Sequence, residues 1–60
     1  MRTAAEEYIL ESIEACEFAI DSLSHDLQQL DDVLSDHTKY AIRDQISWNE
    51  GHINFLRSSF

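Results

Sequence analysis

Eight apolar residues recur along the first half of the chain at alternating steps of four and three residues. They are Ile9, Ile13, Cys16, Ile20, Leu23, Leu27, Leu30 and Leu34. This heptad spacing is typical of a helix that buries one narrow apolar stripe against another helix. We therefore expect one long helix over about residues 4–34. Thr3 followed by Glu6 forms a capping-box pattern, which predicts that this helix begins near Ala4.

The apolar pattern changes phase after Leu34 and resumes along a second stripe. That stripe consists of Ile42, Ile46, Asn49, Ile53, Leu56 and Phe60. A turn over residues 35–37, capped by Ser35 or Asp36, accounts for the change, and a second helix then covers about residues 38–58. The sequence thus predicts an all-α fold, an antiparallel helical hairpin. One continuous helix that pairs in a long coiled coil is the alternative.

The second helix contains two weak points close together. Asn49 is the polar member of its stripe, and a buried polar residue of this kind can fix register or partner at some cost in stability. Alternatively, Gly51 could serve as a left-handed cap that ends the helix there.

With 60 residues, the chain provides one helical-hairpin domain, residues 1–60, near the lower size limit for independent folding. One stripe on each of two helices buries too little apolar surface to offset the conformational entropy lost on folding. We therefore expect a homodimer in which two hairpins form a four-helix bundle.

Charge is the strongest compositional feature, with 12 acidic and 4 basic residues and a net charge of -8. This balance disfavours direct binding to nucleic acid or to an anionic membrane. Residues 1–36 have a net charge of -9 and residues 37–60 a net charge of +1. The two halves should therefore attract each other, as a hairpin allows.

The cysteine content and the start of the chain bear on the cellular compartment. Cys16 is the one cysteine and lies on the apolar stripe, which favours a buried thiol in a reducing setting. The chain shows neither the apolar core of a signal peptide nor a run long enough to span a membrane. We expect a cytoplasmic protein that does not contact membranes.

A second apolar line runs along the second helix, away from its main stripe. Ala41, Trp48 and Phe55 recur every seven residues, with His52 between this line and the stripe. Trp and Phe often anchor protein interfaces, so Trp48, Phe55 and His52 are candidate partner-binding residues. The alternative is that these side chains pack inside the core of the dimer.

Carboxylates occupy the outer side of the first helix, where Glu7, Glu14 and Asp21 recur at heptad spacing. Such a face can simply keep the protein soluble. It can also bind a basic groove on another protein, as a nucleic-acid mimic would, because residues one heptad apart lie about 10 Å apart along a helix.

The sequence gives little support for catalysis, and we expect neither an enzyme nor a cofactor. It contains no phosphate-binding loop and no paired cysteine ligands. A di-iron bundle requires Glu three residues before an inward-facing His, but Ser22, Leu34 and Asn49 precede the three histidines in this way. The pair Asp21 and His25 lies on the outer face, where surface pairing is the simpler interpretation.

These features favour a small acidic module that binds another protein, either as a regulator or as an inhibitor of the kind that mobile elements encode against a host factor. The expected architecture resembles that of small plasmid-encoded RNA-binding hairpin dimers, but this chain lacks a basic surface for RNA. A nucleic-acid mimic and a purely structural oligomerisation unit are the alternative functions.

Overall fold

The computed structural model describes residues 1–59 and consists of two antiparallel helices. Helix α1 spans Ala4–Gln29 and helix α2 spans Asp36–Arg57. The two helices pack against each other along their length, so the predicted all-α hairpin is confirmed. Within residues 1–59, neither helix is both long and apolar enough to cross a membrane.

Side chains cap both helices at their N-termini. The Thr3 hydroxyl accepts a hydrogen bond from the Glu6 backbone N–H at 3.1 Å, and Glu6 Oε1 accepts one from the Thr3 N–H at 3.0 Å. The predicted capping box is therefore confirmed. Ser35 caps α2 by accepting a hydrogen bond from the Thr38 N–H at 3.2 Å.

The predicted end of the first helix at residue 34 is wrong, because α1 ends at Gln29 and residues 30–35 form the connection. The Leu30 carbonyl accepts hydrogen bonds from the N–H groups of Val33 and Leu34, which closes a tight turn. Asp31 and Asp32 follow the helix at its negative end, where the helix dipole disfavours carboxylates. Residues 36 and 37 belong to α2 rather than to the predicted turn.

The core of the hairpin is small. Ile13, Cys16 and Ile53 are buried, and Ile9, Ile20 and Leu56 pack against them. The predicted core residues nearer the turn are only half-buried, namely Leu23, Leu27, Leu34, Ile42 and Ile46. Leu30 is 43% exposed, because the helix that would have turned it inward ends one residue earlier. Phe60, the last member of the predicted second stripe, lies outside the described residues.

Helix α2 continues through Gly51, so the alternative in which it ends there is wrong. Asn49 is buried, and its Nδ2 donates a hydrogen bond to the Gln45 carbonyl at 2.8 Å. Two ion pairs connect the second half of the chain to the acidic half. Lys39 Nζ lies 3.1 Å from Asp31 Oδ1, and the Arg57 guanidinium lies 3.5 Å from Glu17 Oε1.

Candidate protein-docking surface

Three rings stack along the outer side of α2. The Trp48 and His52 ring centroids lie 4.8 Å apart, and those of His52 and Phe55 lie 6.1 Å apart, with 18° between the planes in both pairs. Steps of four and three residues place these side chains on one flank of the helix. Trp48 is 59% exposed and Phe55 is 66% exposed, so the hairpin leaves most of both rings in water.

The rings form part of a shallow groove, which we call the aromatic face. Its lining residues are Asp44, Ser47, Trp48, Gly51, His52 and Phe55. All six lie on α2, within three turns of one another. Asp44 is the one charged residue among them, so an apolar surface with a single carboxylate at its edge meets the solvent.

Gly51 forms a notch in the aromatic face between Trp48 and Phe55. Its φ is not positive, and a Cβ added at this position would meet no atom within 4 Å. Neither the backbone conformation nor the packing of the hairpin therefore requires a glycine here. Glycine inside a helix costs about 1 kcal/mol relative to alanine. The missing side chain instead lets another molecule approach the α2 backbone closely.

The aromatic face and the exposed row of Glu7, Glu14 and Asp21 on α1 lie on different sides of the hairpin. The Arg57–Glu17 ion pair identifies the side on which the two residues meet. At 100° per residue, Trp48 and Phe55 lie roughly 160 to 180° around α2 from Arg57. The structure therefore brings Trp48, His52 and Phe55 together, and the acidic row on α1 lies away from them.

The acidic face is the row of Glu7, Glu14 and Asp21 on α1, and all three residues are exposed. They lie within roughly 80° of Glu17 around the helix, on the side of the Arg57 ion pair. Within residues 1–59, none of the three takes part in an ion pair. Their carboxylates are thus available to a basic partner.

The histidines and the cysteine do not assemble a further site. His25 lies 3.9 Å from Asp26 with both side chains exposed, and His37 is also exposed. Cys16 is a free, buried thiol in the core. Across the described part of the chain, no group of three or more His, Cys, Asp or Glu residues is placed to hold a metal ion.

Sequence reasoning missed Asp44, Ser47 and Gly51 as parts of the aromatic face. The signal was present in their spacing, because Asp44 lies four residues before Trp48 and Gly51 lies three residues after it. The stripe defined by Ile42, Ile46 and Ile53 directed attention to the other side of α2. In the sequence Gly51 indicates only a helix breaker, although its position between two aromatic residues also places it on the surface that they form.

Comparisons with protein-family models, with curated proteins and with solved structures found no match for this chain. The geometry of the hairpin and its surfaces is therefore the basis for a functional proposal.

Proposed function

We propose that this chain is a protein-binding module that docks on another protein through the aromatic face and thereby regulates or inhibits it. The exposed stack of Trp48, His52 and Phe55 is the observation that carries this proposal. Large rings that remain in water in the free chain bury much apolar area on contact, and such residues dominate interface energies.

The chemistry of the aromatic face suits a protein partner better than nucleic acid. Neither Lys nor Arg lines the groove, and the net charge of -8 repels a phosphate backbone. A flat apolar patch with a polar edge is typical of protein interfaces. We propose a binding role rather than catalysis, without a cofactor, in a reducing compartment such as the cytoplasm, which suits the free thiol of Cys16.

The proposal can be tested with two matched double variants of the immobilised chain. Trp48→Ala with Phe55→Ala removes two rings from the aromatic face. Phe18→Ala with Tyr8→Ala removes two rings of similar exposure from α1. We expect the first variant to lose the host proteins that the wild type captures and the second to retain them, with helical circular dichroism in both. Equal capture by all three proteins would overturn the proposal.

Binding through the acidic face, as a mimic of nucleic acid, is the second candidate. The exposed row of Glu7, Glu14 and Asp21 without ion pairs among residues 1–59 supports it. Replacement of all three residues by Lys should then weaken capture, most strongly at low salt. Capture that survives both this change and the loss of the aromatic rings would leave a purely structural oligomerisation role as the remaining proposal.

We also propose that two hairpins associate into a four-helix assembly. Only Ile13, Cys16 and Ile53 are buried apolar residues within positions 1–59, and no side chain in this range is fully enclosed. A core of this size provides little stability for a chain of 60 residues. Burial between two copies would supply the missing apolar contacts.

A further inference from the structure

We propose that a second copy of this chain covers the aromatic face in the absence of a partner, with α2 crossing α2 of the second copy at Gly51. Self-association and partner docking then compete for the same residues. The competition rests on the proposed function. The α2–α2 interface does not, because it can be tested on the isolated chain.

The shape of the hairpin shows how much surface remains to be covered. Its extents are 48 × 16 × 11 Å, so it is one helix thick, whereas stable domains pack two or more layers around a core. Its radius of gyration is 14.2 Å, compared with about 10 Å for a compact domain of this length. A second hairpin packed against α2 would bury part of this surface.

The accessible area indicates the size of the contact. The chain exposes 4742 Å², whereas a folded monomer of 7.0 kDa is expected to expose about 4,000 Å². The excess, about 700 Å², is close to the roughly 800 Å² per partner that a standard stable interface buries. One interface between two copies therefore accounts for the excess.

A twofold axis near Gly51 pairs the aromatic residues with each other. In a symmetric antiparallel crossing, each residue faces a residue of the other copy on the opposite side of the axis. The two residues are at similar distances from the axis along the sequence. Trp48, three residues before Gly51, then lies against Phe55 of the second copy, and the reverse pair forms on the other side. The notch at Gly51 lets the two backbones approach closely enough for the rings to overlap.

The distribution of charge permits this contact despite the net charge of -8. Asp44 is the one charged residue that lines the aromatic face. The same twofold relation places it near Ser58 and Ser59 of the second copy, which are uncharged and whose hydroxyls donate hydrogen bonds to the Phe55 carbonyl of their own chain. Glu7, Glu14 and Asp21 lie on a different side of the hairpin and remain in water. Like charges are thus kept away from the centre of the contact.

Sedimentation equilibrium of the wild type and of two matched variants tests the interface. Gly51→Glu adds a carboxylate at the notch, where a single chain has open space, and it should improve the helix propensity of α2. Gln28→Glu adds the same charge at an exposed position on α1, away from position 51 of α2. We expect a dimer for the wild type and for Gln28→Glu. Gly51→Glu should associate at least about tenfold more weakly, because a carboxylate would be buried without a partner.

Disulfide trapping tests the position of the axis. Two cysteines can be bridged only if their Cα atoms lie within about 7 Å. Gly51→Cys should therefore form a covalent dimer under mild oxidation, whereas Gln28→Cys on α1 and the wild type, with its buried Cys16, should not. A monomeric wild type, or equal dimerisation of Gly51→Glu and Gln28→Glu, would overturn the inference. So would the absence of cross-linking at position 51.

The competition has a separate readout. Gly51→Ala adds only a methyl group, which keeps the aromatic rings available while it narrows the notch. If both proposals hold, this variant should dimerise more weakly and capture the partner at least as well as the wild type. If the dimer behaves as expected but the variant that lacks Trp48 and Phe55 captures as well as the wild type, the proposed function fails alone. If capture depends on both rings but the chain is monomeric, the α2–α2 interface fails alone.

Discussion

At the scale of single residues, Asn49 is an unusual member of a very small core. Within residues 1–59 it is the one buried polar side chain, and it is as buried as Cys16 and Ile53. Its Nδ2 bonds to the Gln45 carbonyl of the same helix, which also accepts the helical hydrogen bond from the Asn49 N–H. The amide therefore donates within its own helix and forms no side-chain hydrogen bond to α1 among residues 1–59.

Asn49→Leu should consequently stabilise the hairpin. The Gln45 carbonyl would keep its helical hydrogen bond, and the leucine would bury apolar area, so the free energy of unfolding should rise by about 1 to 2 kcal/mol. Urea denaturation followed by circular dichroism measures this change. Asn49→Asp is the matched control and should destabilise the protein, because it buries a charge of the same shape. A leucine variant less stable than the wild type would show that the amide makes a contact that the fold requires.

At the scale of the elements, the helices could be predicted from the sequence more reliably than their connection. The heptad spacing identified two helices, and Thr3 with Glu6 identified the start of α1, because both signals depend on residues close in sequence. The end of α1 could not be read in this way, since Leu30 and Leu34 continue the apolar spacing. The helix ends at a turn in which the Leu30 carbonyl accepts hydrogen bonds from the Val33 and Leu34 N–H groups, and this turn lets α2 place Lys39 3.1 Å from Asp31.

The candidate site shows the same distinction. Trp48, His52 and Phe55 could be assigned to one flank of α2 from spacing alone, since a helix fixes that relation. Whether another part of the chain covers that flank depends on how the helices pack. Likewise, only the absence of any neighbour around the missing Cβ of Gly51 reveals the notch. The sequence predicts which residues share one flank of a helix, but only the structure shows whether that flank is covered.

The capping box at the start of α1 makes a testable contribution to stability. Thr3→Ala removes the hydroxyl that accepts from the Glu6 N–H, and the loss of such a cap costs about 0.5 to 2 kcal/mol. Thermal unfolding at neutral pH measures the effect. Ser12→Ala, which removes a hydroxyl from the middle of the same helix, is the control and should change stability less. An unchanged melting temperature for Thr3→Ala would contradict a stabilising cap.

The same capping box predicts the sign of a pH dependence. Two hydrogen bonds lower the pKa of Glu6 below its ordinary value of 4.5. The larger effect comes from the Thr3 backbone N–H and the smaller one from the Thr3 side chain. The ionised form is thus favoured in the folded state. Its stabilisation is fully present above pH 4.5 and is lost as the pH falls through the lowered pKa. The stability of Glu6→Gln should therefore depend less on acidic pH than the stability of Glu7→Gln, the control variant in the same turn. Identical dependence of stability on pH in the two variants would contradict this role of Glu6.

At the scale of the whole molecule, shape and charge have opposite effects on self-association. The hairpin is one helix thick and leaves Trp48 and Phe55 in water, which favours association. Its net charge of -8 opposes the approach of any second copy. The placement of Glu7, Glu14 and Asp21 on a different side from the aromatic face reduces this repulsion at the contact but does not remove it over the length of the molecule.

Self-association should therefore strengthen as salt is added. Between about 0.01 M and 0.1 M ionic strength the Debye length falls from about 30 Å to about 10 Å, which screens repulsion between carboxylates on different copies. We expect the dimer dissociation constant to fall over this range, as measured by sedimentation or by the emission of Trp48, the one tryptophan. Asp44→Asn, which removes the carboxylate at the edge of the aromatic face, should strengthen the dimer at low salt and reduce its salt dependence.

A partner held by the acidic face would respond in the opposite direction, because salt weakens attraction between Glu7, Glu14 or Asp21 and basic groups. Salt thus separates the two surfaces without any mutation. Dimerisation that weakens with added salt would show that ion pairs hold the two copies together. In that case the interface would involve the acidic side of the hairpin rather than Trp48, Gly51 and Phe55.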